Sequence, residues 1–195
     1  MLVTVPTCAG IAALAPVVPS ILGWSENFGG SILPMQILAP NLVIISLDML
    51  LGTALLALRK EKQWLWVAVV AAIVNPSLNL VLIPRMQQMI GNGSVGAAVT
   101  TLATELVMLI GAFLLLPRGV IDSYTAWSTV RIFAAGLLTY AAAASLLVVS
   151  VPLAICSGAL VYAASLLSLR VITPTQTRHD IDRLRSHFRS TPAAL

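Results

Sequence analysis

Residues 63–83, QWLWVAVVAAIVNPSLNLVLI, form a run of 21 side chains without a single charge. A helix rises 1.5 Å per residue, so roughly 20 apolar residues are needed to cross the hydrocarbon core of a bilayer. Helices on the surface of a soluble protein carry charged or polar residues along one face. The stretch therefore predicts a transmembrane helix.

Five further apolar stretches lie on either side of this run. Together they predict six spans, near residues 2–22, 32–58, 63–83, 95–117, 129–149 and 152–170. The composition agrees, because 58% of the residues are hydrophobic and only 9% are charged, which excludes an ordinary soluble domain. We therefore expect an all-α integral membrane protein, with a six-helix bundle in residues 1–170 and no room for a soluble catalytic domain.

The basic residues are distributed asymmetrically between the predicted loops. If the spans alternate in direction, ten of the eleven Lys and Arg residues fall on one side, and only Arg85 falls on the other. The ten are Arg59, Lys60, Lys62, Arg118, Arg131, Arg170, Arg178, Arg183, Arg185 and Arg189. Short loops rich in Lys and Arg stay in the cytoplasm during insertion. The asymmetry predicts that both termini are cytoplasmic.

The tail after the last span has a different composition. In residues 171–195, Ile181, Leu184 and Phe188 share one helical face among several arginines. This pattern is typical of a short basic amphipathic helix on the inner leaflet, although a solvated tail fits the same residues. Half of the net charge of +4 lies here and suits anionic lipid headgroups, so it is no argument for nucleic-acid binding.

Prolines interrupt two of the predicted spans. Pro34, Pro40 and Asn41 predict a kink or an unwound turn in the outer third of the second span, and Pro76 removes one backbone N–H donor from the third. We expect the third span to stop at Pro84 and residues 85–94 to form a flexible polar loop.

Small residues recur every fourth position in two spans. One set is Gly96, Thr100 and Thr104, and the other is Ala135, Thr139 and Ala143. Stripes of this kind predict faces where membrane helices approach each other closely.

Two acidic residues lie near the middle of predicted spans. An ionised Asp48 or Glu105 at that depth costs about 2.5–3.5 kcal/mol or more, and no Lys or Arg lies at similar depth. One interpretation is a proton- or cation-responsive pair that lines a pathway. The other is a protonated acid that hydrogen-bonds to a facing Ser or Thr.

Other polar residues in the spans are weaker candidates. Asn75 and Asn79, one turn apart, either line a substrate or ion pathway or make interhelical hydrogen bonds around Pro76. Arg118 and Arg131 are candidates for contact with lipid phosphates, although topogenic charge also accounts for both. The sequence shows no metal-ligand spacing and no catalytic or phosphate-binding motif, so we expect neither an enzyme nor a cofactor.

Two runs in the middle of the chain carry a family resemblance. NPSLNLVLIP over residues 75–84 and GAAVTTLATE over residues 96–105 resemble the polysaccharide-biosynthesis flippases of the multidrug/oligosaccharidyl-lipid/polysaccharide exporter superfamily. Those proteins carry a similar run across their ninth and tenth helices. Thr104 stands where the family often has Ser, and residues 85–94 are longer than the usual connection.

The resemblance implies the C-terminal lobe of such a flippase, helices seven to twelve. It implies transport of polyprenyl-diphosphate-linked glycan units across the bacterial inner membrane, with coupling to a proton or sodium gradient. A second six-helix lobe would then come from a missing N-terminal half, a separate chain or a homodimer. A drug/cation antiporter lobe, a non-transporting scaffold and the product of a truncated gene are the alternatives.

Overall fold

The computed structural model describes residues 1–24, 26–117 and 123–169, and no strand occurs in these ranges. The eight α-helices there are α1 (Thr4–Leu14), α2 (Val18–Ile21), α3 (Ile32–Leu38), α4 (Asn41–Ala57), α5 (Glu61–Ile90), α6 (Gly93–Leu115), α7 (Ser123–Leu147) and α8 (Val151–Ser168). A 3-10 helix, Glu26–Ser31, precedes α3. The all-α prediction is confirmed, while the predicted tail in residues 171–195 lies outside the described residues.

Five helical stretches are long and apolar enough to cross a membrane. They are Phe28–Ala57, Glu61–Ile90, Gly93–Leu115, Trp127–Leu147 and Val151–Ser168. Their outward faces are apolar: Leu80 is 79% exposed, Leu114 80% and Leu160 70%. Exposed apolar surface on this scale is typical of a protein whose solvent is lipid.

The first predicted span, residues 2–22, is not one helix. It consists of α1, which has only 11 residues, and the four-residue α2. Pro16 and Pro19 account for the break, because each lacks a backbone N–H. Met1 at the start of α1 lies against Ser46, near the middle of α4, where the Ser46 hydroxyl is 4.0 Å from the Met1 sulfur.

The interruption predicted in the second span is confirmed as a two-residue turn. Helix α3 ends at Leu38 and α4 begins at Asn41, with Pro40 at the N-cap of α4. Pro34, by contrast, lies inside α3.

The predicted end of the third span at Pro84 is wrong. Helix α5 continues through Pro76 and Pro84 to Ile90, so most of the expected loop at 85–94 is helical. A proline removes one intrahelical hydrogen bond, and that loss does not stop this helix. The helix ends at Gly91, whose φ of 68° is the left-handed conformation that glycine adopts without strain.

Helix α6 lies at the centre of one half of the bundle. Helix α5 returns antiparallel along one face of α6, while α3 and α4 pack on other faces. Helices α7 and α8 form a second antiparallel hairpin, and α1 lies between this hairpin and α3–α4. Both small-residue stripes lie where predicted, since Gly96 adjoins the α5 backbone at Leu82 and the Thr139 and Ala143 side chains adjoin Gly158.

Candidate functional site: a carboxyl pair between α4 and α6

Asp48 and Glu105 are neighbours, close enough for their charges to interact. They meet because α4 and α6 run in the same direction. Leu55 and Ala112 pack in one apolar cluster seven residues beyond the pair on each helix, and Lys60 Nζ donates to the Leu115 carbonyl at 2.6 Å. The structure thus joins two acids that are 57 positions apart in the chain.

The two carboxyl groups differ in how deeply they are buried. Asp48 is only 5% exposed, whereas Glu105 is half-buried. Neither Asp48 carboxyl oxygen accepts a hydrogen bond from any donor in the described ranges. Two ionised carboxylates cannot hydrogen-bond to each other, because both are acceptors only. A hydrogen bond across the pair therefore requires a proton on one of them.

The hydroxyl groups nearest to Glu105 in the sequence do not donate a hydrogen bond to it. Thr101, one turn before it, donates to the Ala97 carbonyl at 3.0 Å, and Thr104 donates to the Thr100 carbonyl at 2.8 Å. If Glu105 is a protonated acid held by a facing Ser or Thr, that residue is therefore neither Thr101 nor Thr104.

Few other charges lie on the helices around the pair. Besides the pair, the titratable or charged side chains on the described parts of α1, α3, α4, α5 and α6 are Cys8, Glu61, Lys62 and Arg85. Glu61 and Lys62 lie in the first turn of α5, and Arg85 lies five residues before its end, so all three are at least ten positions along α5 from Asn75, the residue that bonds to Thr104.

Asn75 and Asn79 form a chain of hydrogen bonds across α5 and α6. Asn79 Nδ2 donates to Asn75 Oδ1 at 3.0 Å, and Asn75 Nδ2 donates to Thr104 Oγ1 at 3.1 Å. The chain ends one position from Glu105. Asn75 therefore makes an interhelical bond, although no described side chain donates to the Ala72 carbonyl that Pro76 leaves without its helical donor.

Two further polar groups at this level lack partners. The hydroxyl of Thr100, which is fully buried, and Asn79 Oδ1 make no hydrogen bond within the described residues as acceptor or donor. Buried polar atoms without partners are rare in native structures and often mark sites for water or an ion. Together with Asp48, they make the α4–α5–α6 side of the bundle unusually polar for its depth.

Of the two arginines predicted to contact lipid phosphate, only Arg131 can be placed. Its guanidinium carbon lies 5.6 Å from the centroid of the Trp127 ring on α7. Arg118 lies outside the described residues. The stacking of Trp127 on Arg131 is a contact that the spacing of four residues on one helix indicates, in addition to the lipid-phosphate contact expected of Arg131.

Comparison with known proteins leaves the chain unassigned. No protein-family model, curated protein or solved structure matches it.

Proposed function

We propose that the chain is a membrane transport lobe, and that protonation or cation binding at Asp48 and Glu105 drives its conformational change. The lobe has no enzymatic role in this proposal. Its partner is a second lobe of similar size, supplied by a missing N-terminal half, a separate chain or a second copy. The orientation in the bacterial inner membrane, with both ends cytoplasmic, rests on the Lys and Arg asymmetry.

The observation that carries the proposal is the contact between two carboxyl groups at the middle of apolar helices. Ionisable groups at this depth are costly, and in membrane proteins they mark ion and substrate pathways. Like charges in contact cannot both ionise without a proton or cation between them. A further proton or monovalent cation from one side of the membrane would thus change the charge of the pair from about −1 to 0, and with it the packing of α4 on α6.

Asn75 and Asn79 supply the polar surface next to the pair. Their amides suit hydrogen bonding to sugar hydroxyls on the inner side of the lobe, while the acyl or prenyl part of a substrate stays in the bilayer. In alternating access, the two lobes rock about a site near the midplane. Transport of a polyprenyl-diphosphate-linked glycan is the substrate assignment that the runs at residues 75–84 and 96–105 favour.

The carboxyl pair itself favours one alternative, a drug/cation antiporter. Adjacent carboxyl groups would attract a cationic substrate as well as a coupling ion. Transport measurements with both substrate classes separate the two.

The test measures transport in proteoliposomes that contain the full chain with its partner lobe, under imposed proton and sodium gradients. Lipid-linked glycan and a fluorescent organic cation are compared as substrates. We expect Glu105→Gln to reduce gradient-driven transport roughly 5- to 150-fold, the range typical of coupling free energies between sites. Asp48→Asn should have a similar effect.

Glu61→Gln is the matched control, because it makes the same chemical change at an exposed position in the first turn of α5. It should leave transport unchanged. If Glu105→Gln reduces the amount of folded protein in the membrane instead of the transport rate, the pair is structural. If no gradient drives transport of either substrate by the unaltered protein, the scaffold alternative replaces the proposal.

A further inference from the structure

A cleft of about 430 Å³ lies between α7 and α8, at the end of this hairpin farthest from the turn at Ser150. Its lining consists of Trp127, Val130, Arg131, Ala134, Ser168 and Leu169. Five of these six side chains are apolar or uncharged, and Arg131 supplies the one charge. The cleft is separate from the carboxyl pair, which α4 and α6 hold.

No counterion for the cation in this cleft lies in the described part of the chain. No carboxylate in residues 1–24, 26–117 and 123–169 pairs with Arg131, and its recorded contact there is the Trp127 ring. Stacking on an aromatic face fixes the plane of the guanidinium and leaves its N–H groups free to bind an anion. Arg131 is half-buried, so an anion bound there would be partly shielded from water.

The position of the cleft decides which anion is available. Trp127 begins the candidate span Trp127–Leu147, and α8 ends at Ser168, so the cleft lies where the bundle leaves the bilayer. Tryptophan is enriched at this level of a membrane. Lipid phosphates are the abundant anions there, and the guanidinium fork matches their oxygens in a bidentate geometry.

We propose that the Trp127–Arg131 cleft binds the phosphate of a lipid headgroup, with Val130, Ala134 and Leu169 against the upper part of the lipid chains. The lipid is either an anionic phospholipid or the polyprenyl diphosphate of a transport substrate. Both offer the same phosphate chemistry. The site does not depend on the proposed transport function.

The experiment counts lipids retained by the purified full-length protein in native mass spectrometry. The lipids are phosphatidylglycerol, a polyprenyl diphosphate and a diacylglycerol with the same acyl chains as the phospholipid but no phosphate. Arg131→Gln should weaken retention of the phosphate-bearing lipids about fivefold, the factor expected for one cation near a membrane surface. It should not change retention of diacylglycerol.

Two variants control for altered folding and for nonspecific charge. Arg85→Gln removes an exposed cation near the far end of α5 and should leave retention unchanged. Arg131→Lys keeps the charge but loses the planar fork, so its retention should be intermediate.

If Arg131→Gln loses mainly phosphatidylglycerol, the cleft holds a resident phospholipid. If it loses mainly polyprenyl diphosphate, the cleft is an entry site for the transport substrate. Both outcomes support a lipid-phosphate site. Equal retention by Arg131→Gln and Arg85→Gln would overturn it. Free pyrophosphate that binds to the unaltered protein in the absence of any retained lipid would also overturn it, in favour of a soluble anion.

Discussion

Single glycines set how closely helices approach at three points in the bundle, Gly96, Gly111 and Gly136. A Cβ on Gly96 of α6 would collide with the backbone carbonyl of Leu82 on α5, and a Cβ on Gly136 of α7 would collide with a methyl group of Val5 on α1. A side chain such as Val5 can change rotamer, but a helical backbone cannot move without its neighbours. Gly96 is therefore the position where substitution should cost more.

We predict that Gly96→Ala lowers the free energy of unfolding by roughly 1–3 kcal/mol, the usual cost of overpacking a well-packed contact. The α5–α6 hairpin must open to admit the methyl group. The measurement is reversible denaturation in mixed detergent micelles, followed by circular dichroism.

Gly10→Ala serves as the control, because a Cβ there has no neighbouring atom within 4 Å. It should be neutral or stabilising by up to about 1 kcal/mol, since alanine is the better helix former. Equal stability of the two variants would mean that α5 and α6 are not in backbone contact at Gly96.

At the residue scale, the sequence predicts how far along its span each of the two acids lies. It does not predict that the two acids are neighbours. Counting positions within the apolar runs places Asp48 and Glu105 near mid-span. Their contact depends on α4 and α6 being parallel neighbours, with Leu55 beside Ala112, and no local pattern specifies that packing. An interhelical bond of Asn75 is likewise one of two roles that the sequence allows. Its bond to Thr104 depends on the register between α5 and α6, which places the two side chains together.

At the element scale, α5 is the helix whose length the sequence misjudged. Pro84 looks like a stop signal because most proline residues in helices lie in the first turn. Within α5 it costs only one donor, and residues 85–90 remain helical as far as the glycine cap. A left-handed Gly91 is the stronger terminator, since it redirects the chain, and its N–H donates to the Gln87 carbonyl.

The extension of α5 can be tested with nitroxide labels placed one at a time at residues 85–90. In a helix, label mobility should vary with a period of about 3.6 residues, with the slowest motion where the side chain faces α6. Met86 is the half-buried position in this stretch and should give the least mobile label. Uniformly high mobility at all six positions would restore the flexible loop that the sequence suggested.

The first predicted span shows the opposite error. Hydropathy alone counts residues 2–22 as one crossing, because Ala, Val, Leu and Pro keep its average apolar. The structure divides it at residues 15–17, since the backbone around Pro16 and Pro19 cannot supply the donors of a continuous helix. Hydropathy measures the solvent that a segment prefers, and it carries little information on whether the backbone is continuous.

At the scale of the whole molecule, the polar groups are gathered in one half. The carboxyl pair, the Asn75–Thr104 bond and the unpartnered Thr100 hydroxyl all lie among α4, α5 and α6. The contacts around α1, α7 and α8 are largely apolar, as in the cluster of Val5, Val43 and Ile132. Among the described residues, acidic side chains near the middle of apolar helices thus occur only in the first half, whose helix α5 is exposed along nearly all of its length.

That exposure makes α5 the helix whose crossing of the membrane tests the whole arrangement. Gln63 and Gln88 are uncharged, exposed and separated by 25 positions, about 38 Å along a helix axis, which exceeds a hydrocarbon core of about 30 Å. With Cys8 and Cys156 replaced by Ala, a single Cys at position 63 should react with an impermeant maleimide only from the face that carries Arg59 and Lys60. A single Cys at position 88 should react only from the opposite face, because α5 spans the bilayer in one pass. Labelling of both positions from the same face would show that α5 lies along the membrane, and the pair at Asp48 and Glu105 would then no longer be at mid-depth.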